Sequence, residues 1–492
     1  GMFSNLIFVT FSILSVFFNV SLCLIPTVCV YNATTTGVCC PRSKQNHEVC
    51  GGHERGICGH IDYFHEKIPE IFRYDDRVQW PKRFFHSVCH CRDNYFGIAC
   101  NECWYGWEGH HCDKRTMIIR RNIKHLSKRD KYITKTVIDR SLYVPSEYSV
   151  YVDQLNANND PLTKPTKWIP ASIQYMIVFV HRFGSRATMF EDYLDCQNFG
   201  ILNFNHEAIG FATWHRYYMM FWERLLQNIA RKEFGIKNFA LPYWDWTDQT
   251  SCDICTDDMA GAPGFRGKDG VRISLRSPFG NWTEFCQEPD NADESPCYGC
   301  HVTGNYGKIT REWNSFEFPT SADVEFVLSK PQFHVQGERI TDLACESFHR
   351  ALEGMCGQSE KASDLFYMHN KIHNMIDGSM CCSGTAPSDP LFIFHHTQTD
   401  RIFEEYLNRY KPKLDEYPET NARPGHSRHS YLPAILPLIT HAHLFKPSKK
   451  LGYKYDNFIF GSRKIVFGPT KKDEELDSKI LSESQFELPS EW

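Results

Sequence analysis

Six histidines fall into two groups of three within otherwise apolar segments. In Met368-His369-Asn370-Lys371-Ile372-His373 two imidazoles lie four positions apart. On a helix that spacing places both on one face and aims them at one point. His396, in Phe394-His395-His396-Thr397, occupies the next helical stretch, and an antiparallel neighbour would bring it to the same point. The other group is His181 in Phe179-Val180-His181-Arg182-Phe183, His206 in Asn205-His206-Glu207 and His215 in Thr213-Trp214-His215-Arg216. One buried histidine is ordinary, but two triads in apolar surroundings read as two all-nitrogen metal sites. Neutral imidazole suits copper, zinc, iron and nickel, with copper highest in the affinity order. The Glu-x-x-His pairs of two-iron and two-manganese bundles are not used here. His395 points about 100° away from His396 around a helix and is expected to be structural.

The elements that must position these groups are four helices, expected over 172–182, 211–232, 364–376 and 390–410, the last with Pro390 in its first turn. The fold expected is mainly α: a four-helix bundle enclosing a dinuclear metal centre, with long irregular loops and a small disulfide-rich module in front. Little regular structure is expected over 250–340 and 411–470. The boundaries are a signal peptide at 1–25, a cysteine-rich module at 26–115, a basic solvated linker at 116–141, the metal-binding domain at 142–470 and a charged tail at 471–492.

Ten of the 21 cysteines lie between Cys29 and Cys112, in a stretch with too few aliphatic residues to build its own core. Disulfides must replace that core, and the run Cys91, Cys100, Cys103, Cys112 resembles an EGF-like unit. Disulfides and the apolar run Leu6 to Val20 point to secretion, outside the cell or into a granule lumen. Asn32-Ala33-Thr34 and Asn281-Trp282-Thr283 fit the glycosylation pattern at Asn32 and Asn281. With a net charge of −5 the chain offers no field for nucleic acid, and past the leader no apolar run is long enough to span a membrane. A monomer is expected.

Longer stretches around these histidines resemble the animal tyrosinase family of dinuclear copper proteins. The stretch from His206 to Glu223, HEAIGFATWHRYYMMFWE, with Leu241-Pro242-Tyr243-Trp244-Asp245-Trp246, is similar to that family's first copper signature. Asp389-Pro390-Leu391-Phe392-Ile393-Phe394-His395-His396 through Asp400 is similar to the second. Asp75-Asp76-Arg77-Val78-Gln79-Trp80-Pro81 and Cys252-Asp253-Ile254-Cys255-Thr256-Asp257 extend the likeness across residues 38–455.

The resemblance implies two copper ions, one on His181, His206 and His215 and the other on His369, His373 and His396, with dioxygen as co-substrate. It implies a monophenol and diphenol oxidase that converts tyrosine or DOPA, or protein-bound tyrosine, to quinones for melanin or for crosslinking. Glu353 and Asn370 match the family pair that removes the phenol proton, and Met355 stands where relatives often carry an aromatic gate. Asp245 and Asp400 are expected to accept hydrogen bonds from the outer nitrogens of ligand histidines. Where many fungal, plant and molluscan relatives have a cysteine that crosslinks to the second ligand, this chain has Phe204. The pair Cys381-Cys382 departs from the pattern, and disulfides to other cysteines are expected there. The alternatives are a zinc-containing, dopachrome tautomerase-like relative, a catechol oxidase without activity on monophenols, and a dioxygen carrier or adhesion protein. The pair His395-His396 and six intact ligands favour an oxidase.

Overall fold

Helical segments with four apolar faces are buried all round, and those with one are laid on the surface; both kinds build this chain. The computed structural model describes residues 24–63, 68, 70, 75, 77–82, 84–152, 167–185, 202–268, 270–284, 307–314, 317–338, 344–356, 368–381 and 383–458. Ten helices occur among them: α1 (Val30–Thr35), α2 (Lys128–Arg140), α3 (Ile173–Ser185), α4 (Phe211–Phe234), α5 (Ser321–Leu328), α6 (Phe348–Glu353), α7 (Met368–Ile376), α8 (Leu391–Tyr410), α9 (His441–Leu444) and α10 (Ser448–Leu451).

Four of the helices lie where the apolar periodicity places them: α3, α4, α7 and α8. All the residues of α3 from Ile173 to Gly184 are buried, as are those of α4 from Phe211 to Glu223 and of α8 from Leu391 to Leu407. α4 ends where Gly235 adopts a left-handed conformation, φ 67°, and the amides of Gly235 and Ile236 cap the carbonyls of Arg231 and Ala230. α8 starts after Asp389, whose carboxylate accepts the amide of Leu391 at 2.8 Å. α4 packs on α8, α7 on α8, and α6 on both α4 and α7.

The front module is held by five disulfides: Cys29–Cys39, Cys40–Cys58, Cys50–Cys89, Cys91–Cys100 and Cys103–Cys112. The second and third interlace across a small sheet in which Gly56–His60 runs antiparallel to Ser87–Cys91. The module is not a separate bead, because Trp80, Phe85, Phe96, Trp104 and Tyr105 join the same apolar core as the helices. Gly106 and Gly452 meet backbone to backbone: a Cβ on Gly106 would fall 2.4 Å from the Cα of Gly452.

Two expected boundaries move. Leu24 and Ile25, placed at the end of the leader, form a strand (Leu24–Pro26) paired with Pro145–Val152 and are wholly buried. The folded part therefore begins no later than Leu24. The stretch 116–141 is not a solvated linker. Ile118–Arg120 pairs in parallel with Tyr453–Tyr455, and α2 buries Ile133, Val137 and Ile138 against the core. Its basic residues misled because Arg120 finds acidic partners far away in the chain.

Among the described residues of 250–340 and 411–470, where little regular structure is expected, there are short strands, 3-10 turns and the helices α5, α9 and α10. Among the described residues no helix is long and apolar enough to cross a membrane. Most of the expected leader, the charged tail, Asp76 and Cys382 lie outside the described residues.

Candidate metal centre

α3 delivers His181, α4 delivers His215, α7 delivers His369 and His373, and α8 delivers His396. His206 stands on no helix. It lies in the turn before α4, where Glu207 is held at φ 56°, a left-handed conformation uncommon for a residue with a side chain. The amide of Glu207 donates to Glu353 Oε1 at 2.5 Å, which ties this turn to the end of α6.

The six imidazoles form the two triads expected. Nitrogens of His181, His206 and His215 cluster within 4.8 Å of one another, as do those of His369, His373, His395 and His396. The triads touch, because the rings of His215 and His396 stack with centroids 4.6 Å apart. Phe392 lies on His396 at 3.8 Å, and Phe211 lies against both His215 and His369 at 4.7 Å. These rings give the space between the triads an apolar lining.

Hydrogen bonds on the outer nitrogens fix the tautomers. His181 Nδ1 donates to the carbonyl of Ser383 at 2.5 Å, His215 Nδ1 to that of Phe211 at 3.0 Å, and His373 Nδ1 to that of Met380 at 2.7 Å. His369 Nδ1 donates to Asn370 Oδ1 at 2.9 Å. An oxygen of this kind only accepts, so each Nδ1 carries the proton and each Nε2 carries a lone pair. Yet His181 Nε2 lies 3.3 Å from His215 Nε2, and His396 Nε2 lies 3.2 Å from the Nε2 atoms of both His369 and His373. A proton on His396 could satisfy one of those two contacts, never both. Buried lone pairs facing each other at this distance are repulsive unless a cation lies among them, so the donor set fits a metal ion at each triad.

Burial pushes all six imidazoles towards the neutral form that a metal requires. His181 is lowered to about 3 and His373 to about 4, and the other four lie well below the usual value.

His395 is nearer than its place on the helix suggests, with its ring stacked on His369 at 4.9 Å. Trp246 Nε1 donates to His395 Nδ1 at 3.2 Å, which leaves the proton on Nε2. That nitrogen is a donor, whereas the Nε2 atoms of His369 and His373 are lone pairs. His395 is thus a neighbour of the triad and not a fourth donor to it.

Asp245 and Asp400 do not hold ligand histidines, contrary to expectation; backbone carbonyls and Asn370 do. Asp400 accepts from Arg216 Nε at 2.6 Å, Arg120 Nη1 at 3.1 Å, and the hydroxyls of Tyr453 at 2.7 Å and Tyr455 at 2.6 Å. Burial alone would raise its pKa, but the two guanidiniums hold it below the usual carboxylate value. Glu223 joins the same network through Arg120 and Tyr105, so the front module is connected to α4 and α8. Asp245 pairs with Arg401 at 2.9 Å and accepts from Gln398.

Glu353 is fully buried, and burial raises its carboxyl well above the usual range; its Oε2 has no hydrogen-bond partner. Asn370 Nδ2 lies 3.4 Å from Met355 Sδ, which places Met355 beside the second triad. A cavity of about 270 Å³, which no sequence motif announces, lies next to Glu207 and Met355 and is lined also by His349, Arg350 and Arg423.

A helical core around two facing triads of neutral imidazole is built as a dinuclear, all-histidine metal centre. Residues 171–409 match the model for the common central domain of tyrosinase. The chain is 32% identical to the tyrosinase of Canis lupus familiaris, over 90% of this chain and 83% of that one. It is 29% identical to the 5,6-dihydroxyindole-2-carboxylic acid oxidase of Homo sapiens, over 86% and 80%. A polyphenol oxidase from Thermothelomyces thermophila aligns in structure with a TM-score of 0.45 at 18% identity, over 69% of this chain and 88% of that one. The chain belongs to the tyrosinase family of copper oxidases.

Proposed function

We propose that this protein is a secreted oxidase that hydroxylates monophenols such as tyrosine to catechols and oxidises catechols such as DOPA to quinones. The observation that carries the reading is the paired triads, whose buried Nε2 lone pairs converge. His181, His206 and His215 would hold one copper ion, and His369, His373 and His396 the other. Bound there, copper supplies dioxygen binding and electron transfer.

The chain's own residues supply the rest. Phe211 and Phe392 keep water from the reacting space. Phenol holds its proton to a pKa of about 10, so oxygen transfer to a monophenol needs an acceptor for that proton. Glu353, with Oε2 buried and without a partner, is that acceptor in this reading, and Asn370 orients His369. Met355 forms a soft, adaptable gate beside Asn370.

Seven described disulfides support folding in an oxidising compartment. The run Cys91, Cys100, Cys103, Cys112, on which the EGF-like reading rests, closes as two sequential loops, Cys91–Cys100 and Cys103–Cys112. Of the two glycosylation candidates, Asn281 is exposed, whereas Asn32 Nδ2 already donates to the carbonyl of Val38 at 2.8 Å. The first is the better acceptor. Oxygen uptake by copper-loaded protein on L-tyrosine and L-DOPA tests the reading. Uptake on both supports it; uptake on L-DOPA alone restricts it to a catechol oxidase, and no uptake on either overturns it.

A further inference from the structure

The cavity has an inner wall beside the turn that carries His206, and an exposed edge. Glu207, directly after His206, and Met355, in contact with Asn370, belong to the inner wall. At about 270 Å³ the space suits a single-ring molecule. Two arginines line it. Arg350 is committed: its Nη1 pairs with Glu338 Oε1 at 2.9 Å and its Nη2 donates to the carbonyl of Met355. Arg423 is exposed, and among the described residues no ion pair or side-chain hydrogen bond holds its guanidinium. The cavity's two histidines add no charge, since burial lowers His334 and drives His349 well below its ordinary value.

Building on the oxidase reading, we propose that Arg423 determines specificity by binding the carboxylate of a phenolic substrate whose ring reaches the histidine centre. A guanidinium recognises a carboxylate through two parallel hydrogen bonds. Among the described residues no protein carboxylate is in contact with that of Arg423; burial raises the carboxyl of Glu207 across the cavity, and the charge of Arg423 opposes that rise. Glu207, on the same cavity and also outside any ion pair among the described residues, is placed to accept hydrogen bonds from an α-ammonium. The favoured substrates are then free phenolic acids and amino acids. A tyrosine inside a polypeptide has neither a free carboxylate nor a free ammonium to offer.

The test compares wild-type protein with Arg423→Gln, both as the full copper-loaded chain. The substrates are 3-(3,4-dihydroxyphenyl)propionate and L-DOPA, which carry a carboxylate, and dopamine and 4-methylcatechol, which do not. The variant should raise KM for the two carboxylates roughly tenfold, with kcat within about twofold, and should shift the other two less than about twofold. Binding of unreactive 3-phenylpropionate, followed by calorimetry, should weaken by a similar factor and recover partly in Arg423→Lys. Equal effects on all four substrates, or none on the carboxylates, would overturn the proposal. If wild-type protein oxidises no catechol yet binds 3-phenylpropionate through Arg423, the oxidase reading fails and the carboxylate site stands. If that binding does not depend on Arg423, the site itself fails.

Discussion

The imidazoles of His215 and His396 stack 4.6 Å apart with their planes 25° from parallel, although one comes from α4 and the other from α8. One helix pair thus sets the spacing between the two triads. Directly beneath, Arg216 follows His215, and Asp400 stands one turn after His396. Their salt bridge of 2.6 Å joins the same two helices.

Asp400→Asn should therefore be strongly destabilising. Arg120 and Arg216 would remain buried with part of their counter-charge removed, and breaking a buried ion pair typically costs about 3–5 kcal/mol. Denaturant unfolding of the metal-free protein should show the loss. A change below about 1 kcal/mol would mean that Glu223 and Glu404 carry the network without it.

Glu353→Gln should separate the two activities. The amide can still accept from the Glu207 backbone, so the turn bearing His206 should persist, but proton acceptance is lost. kcat/KM for monophenols should fall by about a hundredfold, with a much smaller loss for catechols. Equal losses would make Glu353 a purely structural support.

Acid should unfold the metal-free protein from a higher pH than its carboxylates alone would dictate. His426 and His441, clear of the triads, are buried and titrate at about 4 and about 3 when folded, against 6.5 ordinarily. Between those values the unfolded chain binds the extra protons, so stability is full above pH 6.5 and is lost progressively as pH falls towards 4 and below. Melting temperatures measured from pH 7.5 down to 4.5 should decline along this window, and His441→Gln should flatten the slope. A level profile would contradict the assignment.

The helices carrying the site were legible because apolar periodicity survives in α3, α4, α7 and α8, and the spacing of His369 and His373 marks one helix face. The partners of the outer nitrogens were not legible. The carbonyls of Ser383, Met380 and Phe211 are backbone groups, and no side-chain type announces them. Asp245 and Asp400 looked suited to that task by type, yet nearby arginines claim both. Arg120 sat in a basic stretch that reads as solvent-exposed; its partners Glu223 and Asp400 lie 103 and 280 positions away. Leu24 and Ile25 are apolar for a reason that a leader and a buried strand share.

Metal occupancy is what the two triads exist to provide. Mass-spectrometric metal analysis of purified wild-type protein and of His369→Ala should give about two copper ions per chain for the first and about one for the second, with the fold unchanged by circular dichroism. Zinc in place of copper, or the same metal content in both proteins, would contradict the assignment of one copper ion to each triad.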